Sequence, residues 1–185
     1  MNINETKIIK GDSTNGISGR FGGAIALFEE YILKRVVHHF FCTLHLNELP
    51  FRKLITAVIG VSSSPNGMKG EIGSHLKDLS SGKSTLIPQD KFEAVPNPNF
   101  YFVPLSVVKD LSNDQKLLYK LCVSVMAGTF DPALRVVILP GINWARWLTL
   151  AILILYYYTT LVNPPENLKT VVEFIIRFMP QHSLN

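Results

Sequence analysis

The segment Trp147–Val162, WLTLAILILYYYTTLV, is sixteen residues long and carries no charged side chain. Such a run either crosses a membrane or forms a helix that is buried on all sides within a protein. At about 1.5 Å per residue, a helix of this length covers roughly 24 Å, which is less than the ~30 Å hydrocarbon core. A longer span, residues 144–162, is the alternative, although it takes in Arg146. Because two-faced, amphipathic helices are predicted on both sides, we favour a buried helix and keep a single-pass membrane protein as the alternative.

Composition places the chain among folded proteins of ordinary domain size. Apolar residues make up 47% and charged residues 17% of the 185 residues, which argues against intrinsic disorder. The net charge of +4 comes without a dense run of Lys or Arg, so it permits a nucleic-acid partner without requiring one. Two isolated cysteines favour a reducing compartment, and the N-terminus lacks the apolar stretch of a secretory signal.

Residues 1–59 have the pattern of a small α/β segment. Ile8 and Ile9 form a short apolar run that closes at Gly11, which predicts a strand followed by a loop. Apolar residues then recur at helical spacing over 24–32, and the β-branched and aromatic run Val36–Leu46 predicts a second strand. Strand, helix and strand in this order indicate an α/β unit.

The rest of the chain divides into two further zones. Residues 60–104 are rich in Ser, Gly, Pro and Asn without a sustained period and are predicted to be a long loop or embellishment. Residues 105–185 are predicted to be mainly helical. Ser112 and Gln115 have the spacing of a capping box, and Gly128 suits a helix end. Two apolar stripes lie at helical spacing: Leu117, Leu118, Leu121, Cys122, Val125 and Met126, and then Leu168, Val171, Val172, Ile175, Ile176 and Met179.

The stretch Ser80–Thr85, SSGKST, has the ending of a phosphate-binding P-loop. That motif requires a glycine five residues before its second glycine, and Lys77 occupies the position. No strand precedes the stretch and no clear helix follows it. We therefore interpret it as a loop.

Four potential metal ligands, His38, His39, Cys42 and His45, lie close together in the sequence. On a strand, alternation would place His39 and His45 on one face and the other two on the opposite face. A single tetrahedral zinc ion cannot easily gather all four, and no second ligand pair follows at finger spacing. A structural role is favoured, and a small metal-binding module remains the alternative.

Asp12 stands where the first predicted strand meets a glycine-rich loop. A carboxylate at a strand end can serve as a rigidly held metal ligand, although Asp in this position more often forms a turn or a cap.

The order of these features along the chain resembles that of hAT-superfamily transposases and of animal proteins derived from such elements. The matching residues are Asp12 in KGDSTN, Cys42 and His45 in a C-x-x-H arrangement, and Arg146-Trp147 in NWARWLTLA. The strongest local match is Leu44–Leu54, LHLNELPFRKL. The resemblance implies an RNase H-like α/β portion, with Asp12 as the second catalytic acid and C-x-x-H on a strand. A mainly helical insertion containing the R-W pair would follow.

Intact members of that family cut and join DNA with two divalent metal ions, usually Mg²⁺, held by three carboxylates. Only Asp12 has a counterpart among these 185 residues, so we expect a truncated, non-catalytic chain that needs no metal or other cofactor. The resemblance implies a location in the nucleus or cytoplasm. Expected partners are DNA, bound weakly and without sequence specificity, or a second copy of the chain. A membrane is a partner only if the span 144–162 is real. The cations available for DNA are Lys34-Arg35, Arg52-Lys53 and Lys69.

Overall fold

A computed structural model of the protein describes residues 8–11, 22–41, 43–60, 70–100, 102–141 and 147–183. The described chain is mostly helical, with one small parallel sheet of two strands. It forms two compact units, Met1–Pro50 and Phe51–Asn185. The break falls within a helix at Pro50, a residue that cannot donate the helical hydrogen bond.

In the first unit, two strands pair with each other, and a helix lies between them in the sequence. Strand β1 is Ile8–Gly11 and strand β2 is His38–Phe41. They run parallel, with Ile8 opposite His38 and Gly11 opposite Phe41. Helix α1, Ala24–Leu27, continues directly as a π-helix, Phe28–Leu33. The predicted strand, helix and strand are therefore present, in that order.

The second strand is shorter than the sequence predicted. Extended structure ends at Phe41, and helix α2 spans Thr43–Ile59, so the prediction of a strand up to Leu46 is wrong. From Phe51 onwards the apolar residues of α2 recur at helical spacing, and Phe51 and Ile55 are buried. This burial stabilises the helix and outweighs the strand preference of the aromatic residues before it.

The zone predicted as a long loop contains a helix. Helix α3 spans Gly70–Ser80 and buries Ile72, Leu76 and Leu79 on one face, so the loop prediction is wrong for these residues. Four glycine and serine residues lower the intrinsic helix propensity of this segment, which is why its short apolar stripe was missed. Tertiary burial of the stripe compensates for the weak propensity.

Residues 83–100 form an extended strap along the second unit. The amide of Gln89 donates to the carbonyl oxygen of Thr159 over 2.8 Å, and the amide of Val95 donates to that of Val125 over 3.0 Å. An isolated antiparallel bridge joins Lys91 to Thr129. Hydrogen bonds to the second unit therefore satisfy several backbone groups of the strap in place of regular secondary structure.

The remaining elements lie within residues 105–185, which were predicted to be mainly helical. They are α4, Leu105–Asp110; α5, Asn113–Ala127; a 3₁₀ helix, Pro132–Val136; α6, Trp147–Thr159; and α7, Glu166–Ser183. The capping box is confirmed, because the Ser112 hydroxyl accepts from the Gln115 amide and the Gln115 side chain accepts from the Ser112 amide. Gly128 ends α5 in the left-handed conformation, with φ +67°.

Helix α6 is the centre of the second unit. Every residue of α6 except Leu148 is buried, and the helix packs against α3, α5 and α7. The interpretation of Trp147–Val162 as a buried helix is confirmed over the length of α6. No helix in the described part of the chain is both long and apolar enough to cross a membrane.

Candidate functional site

The residues that carried the family resemblance are only partly described. Asp12, Cys42 and Arg146 lie outside the described residues, so their predicted roles stay predictions. His45 belongs to α2 and not to a strand, which corrects the predicted placement of the C-x-x-H motif. The side chain of His45 is likewise outside the described part.

Among Asp12, Cys42, His45, Arg146 and Trp147, only Trp147 has a described side chain. It begins α6, is 8% exposed and belongs to the main apolar core. Burial of an indole contributes strongly to core packing, so its position is accounted for by stability.

Two residues of the family motif, Asp12 and Cys42, follow the ends of β1 and β2 in the sequence. Because the strands are parallel and Gly11 lies opposite Phe41, both strands end at the same edge of the sheet. Asp12 directly follows Gly11 in the sequence, and Cys42 directly follows Phe41.

Glu29, which the sequence analysis did not identify, connects two elements of the first unit through its carboxylate. Oε1 of Glu29 accepts a hydrogen bond of 2.6 Å from the amide of Val37 and lies 2.9 Å from Nε2 of His39. The Val37 amide, and after it the His39 ring, lower the pKa of the Glu29 carboxyl below its ordinary value. Glu29 therefore links the π-helix to the start of β2 as a carboxylate.

The chemistry open to this pair is limited. A carboxylate and an imidazole in contact can move a proton or contribute two metal ligands. In the described ranges, however, no three His, Cys, Asp or Glu side chains converge on a point that could hold a metal ion. The position is best explained as a brace between helix and strand. No periodic signal in the sequence links Glu29 to His39, which is why the contact was not predicted.

Basic residues are exposed in both units. Lys34 and Arg35 follow the π-helix, and Arg52 and Lys53 lie on α2; Lys69 falls outside the described residues. The Lys34 ammonium lies 5.5 Å from the centroid of the Tyr31 ring, a distance typical of a cation–π contact. Tyr31 itself is 62% exposed.

The SSGKST stretch does not form an anion site. It begins at the C-terminal end of α3, where carbonyl groups need donors, and no helix follows it. The amides of Ser81, Gly82, Lys83 and Ser84 all donate to carbonyl oxygens in the last turns of α3. Since these amides are used within the chain, they cannot cradle a phosphate, and the interpretation as a loop is confirmed.

Comparisons of this chain with family models, with curated proteins and with solved structures found no match.

Proposed function

We propose that this chain is a non-catalytic, transposase-like protein that binds nucleic acid weakly and without sequence preference, in the nucleus or cytoplasm. The observation that carries the proposal is the parallel β1–α1–β2 arrangement, in which β1 leads directly into Asp12. This order matches the RNase H-like portion implied by the hAT resemblance, and the mostly helical unit after it corresponds to the implied insertion.

The proposed binding groups are the exposed cations of each unit. Lys34 stands beside the exposed ring of Tyr31 in the first unit and Arg35 follows it in the chain. Arg52 and Lys53 lie on α2. Proteins that bind single strands combine cations for the phosphates with aromatic rings on which bases stack. Tyr31 and Lys34 offer that combination on a small scale. So few cations release few counterions, which is consistent with weak binding.

The absence of catalysis follows from the number of acids. Two-metal phosphoryl transfer requires several carboxylates around the metal pair. Within these 185 residues only Asp12 occupies a position of the family triad, and Glu166 and Glu173 are exposed on α7 with basic neighbours. The proposed activity is therefore binding alone.

Fluorescence anisotropy with a labelled oligothymidine and a labelled duplex of the same length tests the proposal. We expect the logarithm of the binding constant to fall linearly with the logarithm of salt concentration. The variant Lys34→Asn with Lys53→Ala should reduce that slope by about 1.4–1.8, since each lost phosphate contact removes about 0.7–0.9. Asn is chosen at position 34 because Lys34 has φ 55°, which Asn tolerates.

A matched control replaces Lys77 and Lys83, two exposed lysines on and after α3, with alanine. This variant should bind as the parent chain does. Equal losses in both double variants would mean that only net charge matters, and no salt-dependent binding by the parent chain would refute the proposal.

A further inference from the structure

An apolar groove of about 380 Å³ lies between the end of the strap and helix α5. Its two walls are lined by Pro96, Pro98 and Phe102 and by Val123, Met126 and Ala127. Phe102 is 64% exposed, although its ring meets that of the buried Phe100 edge to face at 5.1 Å. The Phe102 ring is thus held on one side and open to solvent on the other. The groove lies near the lower end of the range of about 300–1,000 Å³ for ligand sites, which suits one or two apolar side chains.

The polar side chain of the groove already has partners within the chain. Asn97 donates to the carbonyl oxygen of Ile176 over 3.2 Å and accepts from the amide of Asn99 over 3.1 Å. Pro96 and Pro98, on either side of it, have no amide hydrogen to leave unpaired. A molecule that covers this wall therefore removes apolar surface from water without leaving an unpaired amide on the two prolines.

One end of the groove carries positive charge. Lys120 lies three residues before Val123 and seven before Ala127, so helical spacing puts all three on the face of α5 that lines the groove. Lys116 precedes Lys120 by one turn, and its ammonium donates to the carbonyl oxygen of Lys109 over 2.9 Å. In the described ranges, neither Lys116 nor Lys120 lies within ion-pair distance of a carboxylate.

Acidic residues are absent from both walls of the groove in the sequence. Residues 94–108, which contain the first wall, carry no charged side chain. Asp114 is the only acidic residue of α5, and the period of 3.6 residues places it on the opposite side of the helix from Val123. The groove therefore combines apolar walls with lysines that no carboxylate of its own walls compensates.

We propose that this groove binds a short segment of another protein in which an apolar side chain stands next to acidic residues. The apolar side chain lies against Phe102, Val123 and Met126, and the acidic residues pair with Lys116 and Lys120. The flexible side chain of Met126 adapts to the shape of the residue that enters. The inference does not depend on nucleic-acid binding, since it rests on different residues.

The size of the groove sets the expected strength. One or two bound side chains bury much less than the roughly 800 Å² per partner of a stable protein–protein interface. The dissociation constant should therefore lie at about 10–100 µM.

Selection from a phage-displayed library of random short peptides against the immobilised full chain tests the proposal. Display in several copies compensates for the weak affinity of one peptide. The recovered peptides should share an apolar residue flanked by Asp or Glu. A synthetic, fluorescein-labelled peptide of the most frequent sequence is then the probe for fluorescence anisotropy with the full chain.

Phe102→Ala should weaken binding of this probe at least about tenfold, because it removes one wall of the groove. Ile138→Ala is the matched control, since Ile138 is 93% exposed and lies outside the groove, and it should leave the affinity unchanged. Ala127→Glu is a second groove variant that places a carboxylate beside the acidic residues of the probe, and it should also weaken binding. Unchanged circular dichroism verifies that the variants fold.

A charge exchange tests the lysine end of the groove. Lys120→Glu should weaken binding of the probe about two- to fivefold, as expected for an exposed ion pair. A second probe, in which Lys replaces each acidic residue, should bind Lys120→Glu more tightly than it binds the parent chain.

Three results would overturn the proposal. The first is a selection that recovers no peptide above the bare support, or only peptides without acidic residues. The second is a probe that binds Phe102→Ala and Ile138→Ala equally well. The third is a labelled oligothymidine, or a vesicle of anionic lipid, that binds the parent chain and loses affinity in Phe102→Ala, because the groove would then serve a nucleic acid or a membrane.

Discussion

The hydroxyl of Tyr158 donates a hydrogen bond of 3.1 Å to the main-chain carbonyl oxygen of Glu93, 65 residues earlier in the chain. Tyr158 is fully buried near the end of α6, and its ring meets that of Phe92 edge to face at 6.2 Å. Helix α6 therefore holds the strap by a hydrogen bond as well as by apolar packing. This contact gives the buried Tyr158 hydroxyl a hydrogen-bond partner.

Tyr158→Phe should lower the free energy of unfolding by about 1 kcal/mol, because it removes that hydrogen bond and keeps the ring packing. Urea denaturation measures the change. Tyr156→Phe is the control, since the Tyr156 hydroxyl has no hydrogen-bond partner among the described residues, and it should stay within about 0.5 kcal/mol of the parent. Equal losses in the two variants would contradict the role assigned to the Glu93 contact.

Stability should fall in alkali. Burial, and then the carboxylates of Glu93, Glu173 and Glu166, raise the pKa of Tyr158 to about 12, above the ordinary value of 10.0. The folded state thus holds this proton more tightly than the unfolded state does. The contribution of the raised Tyr158 pKa to the free energy of unfolding is complete below about pH 10. It is lost as pH rises through the pKa of the folded state.

Urea denaturation at about pH 8 and about pH 11 tests this prediction. The loss of unfolding free energy between the two should be smaller for Tyr158→Phe than for the parent chain. Burial also raises the pKa of Tyr156 and Tyr157, so part of the loss should persist in the variant. Identical losses would show that Tyr158 does not contribute.

Two glycines with the same backbone angle separate conformational strain from crowding. Gly128 has φ +67°, and a Cβ there would lie 2.9 Å from the carbonyl oxygen of Phe92 and 3.0 Å from the Cβ of Ala94. Gly82 has φ +68° with nothing within 4 Å. Gly82→Ala should cost about 1–2 kcal/mol from strain alone, and Gly128→Ala should cost about 1–3 kcal/mol more. Equal costs by urea denaturation would contradict the close approach of the strap to α5.

The Val37 amide proton should report the charge of Glu29. Because the folded pKa of Glu29 is lowered, the stabilisation from this brace is present above the unfolded pKa of 4.5 and is lost as pH falls through the folded value. In two-dimensional NMR spectra, the Val37 amide should titrate with a midpoint below 4.5. Glu29→Gln should abolish that titration. A midpoint above 4.5 in the parent chain would refute the bond as described.

The chain should not cut DNA. Incubation of supercoiled plasmid with purified protein in Mg²⁺ or Mn²⁺ should give no more nicking than the Asp12→Ala variant gives, because one carboxylate cannot hold a metal pair. Agarose gel electrophoresis resolves nicked from supercoiled plasmid. Nicking by the parent chain that disappears in Asp12→Ala would show that a working metal centre is present.

Local signals were sufficient where the relevant neighbours lie within four residues. The capping box of Ser112 and Gln115 and the left-handed end at Gly128 were predicted because each involves only the adjacent turn. The apolar stripe of α7 was predicted for the same reason, and its members Leu168, Val171, Val172, Ile175 and Ile176 are buried.

The prediction was wrong where the local preference of a segment and its burial in the folded protein favoured different structures. The strand prediction continued through residues that belong to α2, and α3 was missed among glycines and serines. The candidate site was the least predictable part, because the Glu29–His39 contact joins residues with no common pattern.

By itself, the sequence determined the ends of α5, the apolar stripes of α5 and α7, and an uncharged run too apolar for a protein surface. Those properties depend on residue type and helical spacing alone. Only the tertiary structure decided that α3, α5 and α7 surround α6, that Tyr158 bonds to the strap at Glu93, and that Glu29 contacts His39 of β2. These contacts join distant parts of the chain, and their free energy depends on which surfaces folding brings together.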